Sequence, residues 1–415
     1  MQNSVEVLTI GDELLYGQIL NTNSQWISAE AGKIGLRVVR QTAIGDREDE
    51  ILKALAEAES RAAAVLLTGG LGPTSDDLTK PALAKYFNSP LKISQEALTE
   101  VTRFFESRGR KVSELNRRQA ELPECCQPIS NSLGTAPGMW FEKNNQVFVS
   151  MPGVPLEMKR MMAEHILPKL KAHFNPPHIF HKMMLVAGIG ESALAEKISD
   201  WEKALPPHFR LAYLPGTGDI KLRLTATGDK ESLQNEAAGL IEKLKETAGE
   251  YIYGYDNETL QSAVGKLLWQ RNLTLSVAES CTGGYLSHLI TSVPGSSEYF
   301  LGSMIPYAYE IKKHQLGIKP ETLEQYGAVS EPTIIEMANV VRARFNTHIG
   351  VATSGIAGPG GATPEKPVGL VWIAYSDKHF TKTKKLLLTP DRMQNIQLAS
   401  MAVLNMIRLN IPERG

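Results

Sequence analysis

A serine and a cysteine stand side by side at Ser280–Cys281, in the stretch LTLSVAESCTGG from Leu273 to Gly284. Either side chain can attack a carbonyl carbon once a neighbour takes its proton, so the pair points to nucleophilic chemistry. Before it, Leu273, Leu275 and Val277 alternate as in a buried strand; after it, Tyr285, Leu286, Leu289 and Ile290 recur at helical spacing. Thr282, Gly283 and Gly284 close the turn between them. Such turns lie at the carboxyl ends of sheet strands, where ligands usually bind. The helix start is expected to offer unpaired N–H groups to a phosphate or an oxyanion. A second glycine-rich turn follows the strand Ile349 to Thr353, running from Ser354 and Gly355 through Gly358 to Gly360 and Gly361.

A third chemical stretch lies far upstream. The predicted strand Ala64 to Thr68 runs into GGLGPTSDD, residues 69–77. Gly69, Gly70 and Gly72 let the backbone approach a ligand, and their N–H groups can surround a phosphate. Asp76 and Asp77 could hold a hard divalent cation beside it. The plain alternative, a glycine turn before an acidic helix start, has equal weight from composition alone. Gly11, Asp12 and Glu13 end another predicted strand, 5–10. Residues 92–122 read as a helical excursion rich in arginine, either a solvated basic face or phosphate neighbours grouped around Asn116, Arg117 and Gln119.

These stretches need a scaffold, and the chain is long enough for one. Its 415 residues allow about three domains of ~150 residues. With 42% apolar and 21% charged residues it is not a disordered chain. A net charge of −1 argues against general attraction to nucleic acid. Glu6 and Asp12 stand where a signal peptide is apolar, no run approaches a membrane span, and three cysteines make no disulfide framework. The expectation is a soluble, cytoplasmic protein with no membrane partner.

Alternating strands and helices over residues 1–174 predict a doubly wound α/β domain. If its strands are parallel, Asn131 to Gly138 and Pro152–Gly153 return to the same side as GGLGPTSDD. Asn175–Pro176–Pro177 reads as a linker. Residues 175–250 then follow a β-α-β-β-α order that is KH-like. Neither Gly188–Ile189–Gly190 nor Gly216–Thr217–Gly218 is the GXXG loop that clamps nucleic acid, so a spacer or dimer-forming module is the stronger reading. Residues 251–415 form a third, α/β domain carrying Ser280.

TGGLGPTSDDLT, NRRQA, GTAPG, PGVP, AESCTGG, AVSEP, SGIAGPGG and EKPVG occur in this order over nearly the whole length. With them the chain resembles the CinA family of competence/damage-inducible proteins. The resemblance implies a molybdopterin-binding-like first domain, a KH-like middle domain and a carboxyl-terminal nicotinamide mononucleotide (NMN) amidohydrolase domain. It also implies an ADP-ribose pyrophosphatase activity in the first domain and a homodimer. Ser280 matches the family's nucleophile, Lys312 its activating lysine and Tyr307 the tyrosine nearby. Substrate contacts in that domain are then expected at Thr282, Gly283, Gly284, Ser354, Gly355, Gly358, Gly360, Gly361 and Arg392. In the first domain they are expected at Gly11, Asp12, Glu13, Asn23, Gly69, Gly70, Gly72, Thr74, Asn116, Gly138, Pro152 and Gly153, with Asp76 and Asp77 holding Mg, Mn or Co. No cofactor is expected in the carboxyl-terminal domain.

The match has two departures. Family members commonly read Tyr-Ser-Asn-Glu-Ala-Lys where this chain has Tyr307–Ala308–Tyr309–Glu310–Ile311–Lys312, and an arginine expected four residues after Arg392 is Ile396. Two rival readings stand beside the leading one. Cys281 could be the nucleophile, with His288 or His314 as base, or the chain could be a non-catalytic nucleotide-binding scaffold linked to competence or DNA damage.

Overall fold

The computed structural model describes residues 3–74 and 77–412. Two compact units divide it: the first holds the amino-terminal domain to Phe180, and the second holds most of residues 181–412.

The first unit is built on a six-stranded sheet in the order Arg37–Ile44, Ser4–Ile10, Ala64–Thr68, Gln146–Met151, Gly138–Lys143, Gln127–Ile129. Its first four strands are parallel, as the strand-helix alternation predicts. The last two are antiparallel, because Gly138–Lys143 and Gln146–Met151 form a hairpin with no room for a crossover helix. The strand Gly138–Lys143 therefore starts at the end where the parallel strands finish. That reversal brings the loop before it to the same edge as GGLGPTSDD. Gly138 itself is a packing residue: a Cβ there would lie 2.6 Å from the Met161 sulfur. The helical excursion is mixed. Strands Leu91–Ile93 and Glu121–Pro123 pair antiparallel and enclose the helices Gln95–Glu106 and Glu114–Arg117.

In the second unit, the KH-like part carries the expected β-α-β-β-α order and one further strand, Ile252–Tyr255, beside Ile179–Ala187. The carboxyl-terminal sheet runs Phe300–Met304, Leu275–Glu279, Ile349–Gly355, Leu370–Ser376, Thr381–Leu387. Its first three strands are parallel and its last two antiparallel. The register Glu279↔Thr353 brings the end of Leu275–Glu279 to within two residues of the end of Ile349–Gly355. The turn after Glu279 and the loop after Gly355 consequently open at one edge.

These two parts share a core. Leu185, Ala187 and Tyr253 of the KH-like sheet pack in one cluster with Leu260, Leu275, Val351, Val403 and Ile407. The glycine turns of the KH-like part face the same contact. A Cβ at Gly188 would lie 2.4 Å from Asn405, and one at Gly218 3.0 Å from Met401. Those glycines serve close packing on the helix Arg392–Asn410. Truncating Leu185 to alanine removes buried volume from this joint core. It is expected to cost about 2–5 kcal/mol in equilibrium denaturation. A loss below about 1 kcal/mol would mean that the two parts do not stabilise each other.

Candidate active site

Ser280 follows directly on the buried strand Leu275–Glu279, and its N–H donates to Thr353 O at 2.9 Å. Its side chain is nearly enclosed, at 8% exposure, and Lys312 is more so at 1%. Lys312 Nζ donates to Ser280 Oγ at 3.1 Å, to Pro306 O at 2.7 Å and to Tyr307 O at 3.1 Å. No carboxylate pairs with it among the described residues. Burial lowers its pKa to about 8, because an unpaired ammonium loses its hydration there. A buried amine that readily gives up its proton, beside a hydroxyl, is the arrangement a serine nucleophile needs.

The adjacent thiol is placed differently. Cys281 packs into the hydrophobic core, and burial pushes its pKa up to about 12, so it stays a thiol at neutral pH. His288 and His314 are exposed, and His314 bonds to Glu310 at 3.1 Å. Neither histidine is hydrogen-bonded to Ser280 or Cys281.

One expectation is overturned here. The helix start after the turn is not open to an oxyanion, because Glu279, itself fully buried, already occupies it. Its carboxylate accepts from the N–H groups of Gly284, Leu286 and Ser287 at 3.0, 3.1 and 2.8 Å, and from Ser287 Oγ at 2.5 Å. A buried carboxylate needs such donors, and the helix dipole favours its charge. Gly283 N–H donates to Ser280 O. Only Cys281 and Thr282 in this turn keep amide N–H groups without a protein acceptor among the described residues.

The remaining positions form the rim. Thr282 Oγ1 bonds Thr353 Oγ1 at 2.7 Å, and Ser354 Oγ donates to Ala328 O at 2.7 Å. Tyr309, one of the departures from the family pattern, accepts the Ala328 N–H at 3.0 Å, so it ties its segment to the same loop. Arg392 donates to Gly358 O at 2.7 Å and to the Tyr307 hydroxyl at 2.9 Å. Tyr307 thus touches Lys312 through its carbonyl and Arg392 through its ring hydroxyl. Gly355 lies against Leu370 and Val371, whereas Gly360 has open space around it and Gly361 turns with φ +85°. Ile396 packs on the core, so no cation takes the place of the second arginine.

In the first domain a cleft of about 460 Å³ lies at the carboxyl ends of the parallel strands. Gly11, Glu13, Gly69, Gly70, Gly72, Asp77, Pro152 and Gly153 all line it. Three more support its walls. Asp12 N–H donates to Asp46, Asn23 Nδ2 to Gly153 O at 2.7 Å, and Thr74 N–H to Asp77 at 2.9 Å. Asn116 and Gly138 do not line it, and Asp76 lies outside the described residues. The basic side chains of the excursion are exposed, and only Gln119 reaches the cleft. Gln119 is 2% exposed, and neither its amide nitrogen nor its amide oxygen is hydrogen-bonded among the described residues. Its backbone is held by Lys80, whose Nζ donates to the carbonyls of Arg118 and Gln119. The motif NRRQA contained the signal, but its charges drew the sequence reading toward the arginines.

Among the described residues no three His, Cys, Asp or Glu side chains come close enough to hold a metal by themselves. Asp77 and Glu13 are nevertheless hard oxygen donors on the cleft wall, the type that takes one or two sites on Mg2+ and leaves the rest to substrate phosphates.

Comparison with known proteins agrees with this architecture. Residues 257–411 match the profile "CinA C-terminal domain", 6–172 match "Probable molybdopterin binding domain", and 181–254 match "Damage-inducible protein CinA KH domain". A CinA-like protein of Cytophaga hutchinsonii is 49% identical over 409 residues, covering 98% of each chain. The chain belongs to the CinA family. A CinA-like protein of Flavobacterium psychrophilum is 42% identical over 404 residues, covering 97% of each chain. The crystal structure of the protein CinA, of unknown function, from Thermoplasma acidophilum is 33% identical, with a TM-score of 0.37, covering 39% of this chain and 94% of that one. No helix among the described residues of this CinA protein is long and apolar enough to cross a membrane.

The setting of Lys312 makes a stability prediction. Its pKa is lower folded than unfolded, so the cost of burying its charge is fully present below about pH 8 and disappears as pH rises toward the unfolded value of about 10.4. Lys312→Met is therefore expected to raise the melting temperature at pH 7, with the difference shrinking by pH 10. A gain that did not change with pH would exclude a buried charge as its cause.

Proposed function

We propose that the carboxyl-terminal domain hydrolyses the carboxamide of NMN to nicotinate mononucleotide and ammonia. The observation that carries this reading is the buried Lys312 amine 3.1 Å from Ser280 Oγ. Ser280 Oγ attacks the carboxamide carbon while neutral Lys312 accepts the hydroxyl proton. The oxyanion formed sits against the free amides of Cys281 and Thr282, which need no reorganisation to receive it. Collapse of the tetrahedral adduct expels the amine, which takes a proton from the Lys312 ammonium and leaves as ammonia. Water, deprotonated by the same lysine, then cleaves the acyl-serine and releases the acid. Arg392 and the loop at Gly358, Gly360 and Gly361 hold the nucleotide's phosphate or ribose.

Ser280→Ala and Lys312→Ala are each expected to lower ammonia release from NMN by at least about 10³-fold, since members of one catalytic unit fail together. Lys312→Arg stays inactive because guanidinium keeps its proton. Cys281→Ala keeps substantial activity, and the wild-type rate rises with pH through about 8 as Lys312 becomes neutral. An inactive Cys281→Ala beside an active Ser280→Ala would transfer the reaction to the thiol.

The amino-terminal cleft is proposed to hydrolyse the pyrophosphate of ADP-ribose, supported by its glycine walls and by the unpartnered Gln119 amide. A divalent cation, when bound there, would neutralise phosphate charge and activate water. Gly69, Gly70 and Gly72 would bring the backbone against the phosphates, Asp77 and Glu13 would hold the cation, and Gln119 would supply a donor and an acceptor. Asp77→Asn is expected to lower product formation from ADP-ribose at least about tenfold. If neither that change nor a chelator alters the rate, the cation has no part in it. On this proposal the chain is a salvage hydrolase of pyridine nucleotides, and we further propose that it acts as a homodimer in the cytoplasm.

A further inference from the structure

The carboxyl-terminal sheet has a second opening at the end opposite Ser280. It is a cup of about 670 Å³ at the amino ends of the strands Leu275–Glu279 and Ile349–Gly355, bordered by the turn between Leu370–Ser376 and Thr381–Leu387. At roughly 3.3 Å per residue the five-residue strand Leu275–Glu279 separates the cup from Ser280 by on the order of 17 Å. Neither proposed activity uses it.

Its lining is basic. Arg271, Arg342, His348, Lys378 and His379 converge there from separate segments, against a single carboxylate among the described residues, Asp377. That carboxylate is already engaged: one oxygen accepts from the N–H groups of His379 and Phe380 at 2.7 and 3.0 Å, the other from the Tyr375 hydroxyl at 3.1 Å. Arg271 donates to the carbonyls of Ile411 and Pro412 at 2.7 and 2.9 Å, which fixes its position without cancelling its charge. His348 Nδ1 accepts the Thr274 N–H at 3.0 Å, so the ring of the neutral form carries its proton on Nε2, as a donor.

Arg342 is the decisive group. Its Nε is shut off from solvent and has no hydrogen-bond partner, and its guanidinium forms no ion pair among the described residues. Close packing forces this burial: a Cβ at Gly350 would lie 2.5 Å from the Arg342 Cβ, so the helix Glu331–Phe345 presses directly on the strand. A basic residue in the last turn of a helix is favoured by the dipole alone. That accounts for one cation at this helix end, but not for Arg271, His348, Lys378 and His379 gathering from other segments. Arg342 as a whole is half-buried and lines the cup, and an oxyanion is the acceptor whose geometry a guanidinium matches.

We propose that this cup binds the phosphate or pyrophosphate group of a small metabolite, with the half-buried Arg342 in its wall and Lys378 at its rim. The volume admits a ligand up to mononucleotide size. The test is isothermal titration calorimetry of the full chain with inorganic pyrophosphate, in the absence of divalent cation. Saturable binding is expected, weakened at least about tenfold by Arg342→Gln and by Lys378→Glu. Lys378 is exposed, so its reversal tests the site without disturbing the fold. Arg392→Ala, in the Ser280 site, is expected to leave this binding in place. The proposal is overturned if the wild type shows no saturable binding, or if binding survives both Arg342→Gln and Lys378→Glu.

Discussion

The carboxyl-terminal site depends on one unfavourable placement, an amine buried without a counter-charge. Lys312 could have been neutralised by a carboxylate, and the strand it faces carries one in Glu279. That carboxylate is instead saturated by the helix start at Gly284, Leu286 and Ser287. Glu279 therefore stabilises the turn, while Lys312 finds only carbonyls and a hydroxyl. The division keeps the lysine's proton loosely held and the turn rigid. It also leaves the free amide donors at Cys281 and Thr282, next to Ser280.

The two candidate sites solve a similar problem with the same geometry. In each sheet, parallel strands bring loops to one edge, and antiparallel strands complete the far side. The amino-terminal cleft uses glycines for close backbone approach and leaves the Gln119 amide without a partner among the described residues. The Ser280 site uses side chains already committed to one another, Thr282 to Thr353 and Ser354 to Ala328.

Much of this could be read in the sequence. The alternation of strand and helix, the glycine loops, the nucleophile turn and the order of the KH-like part follow from periodicity and turn chemistry, which are local. What was not legible depends on contacts between distant residues. The direction of Gly138–Lys143 is set by the short hairpin that joins it to Gln146–Met151, and periodicity carries no direction. The role of Glu279 required knowing which N–H groups lie within its reach. Gln119 looked like one polar residue in a basic run, and only burial distinguishes it from its neighbours. The strand Ile252–Tyr255 is four residues long, too short for an alternation to stand out.

The joint core of the second unit bears on how the chain is made. Leu185 leaves the ribosome roughly 220 residues before Ile407, with which it shares a cluster. At a synthesis rate of about 5–20 residues per second, that interval is on the order of 10–40 s. During it the KH-like sheet has an apolar face whose covering helix has not yet been translated. Nascent-chain protection, rather than the stability of the finished protein, is the stage at which this architecture is most exposed to aggregation.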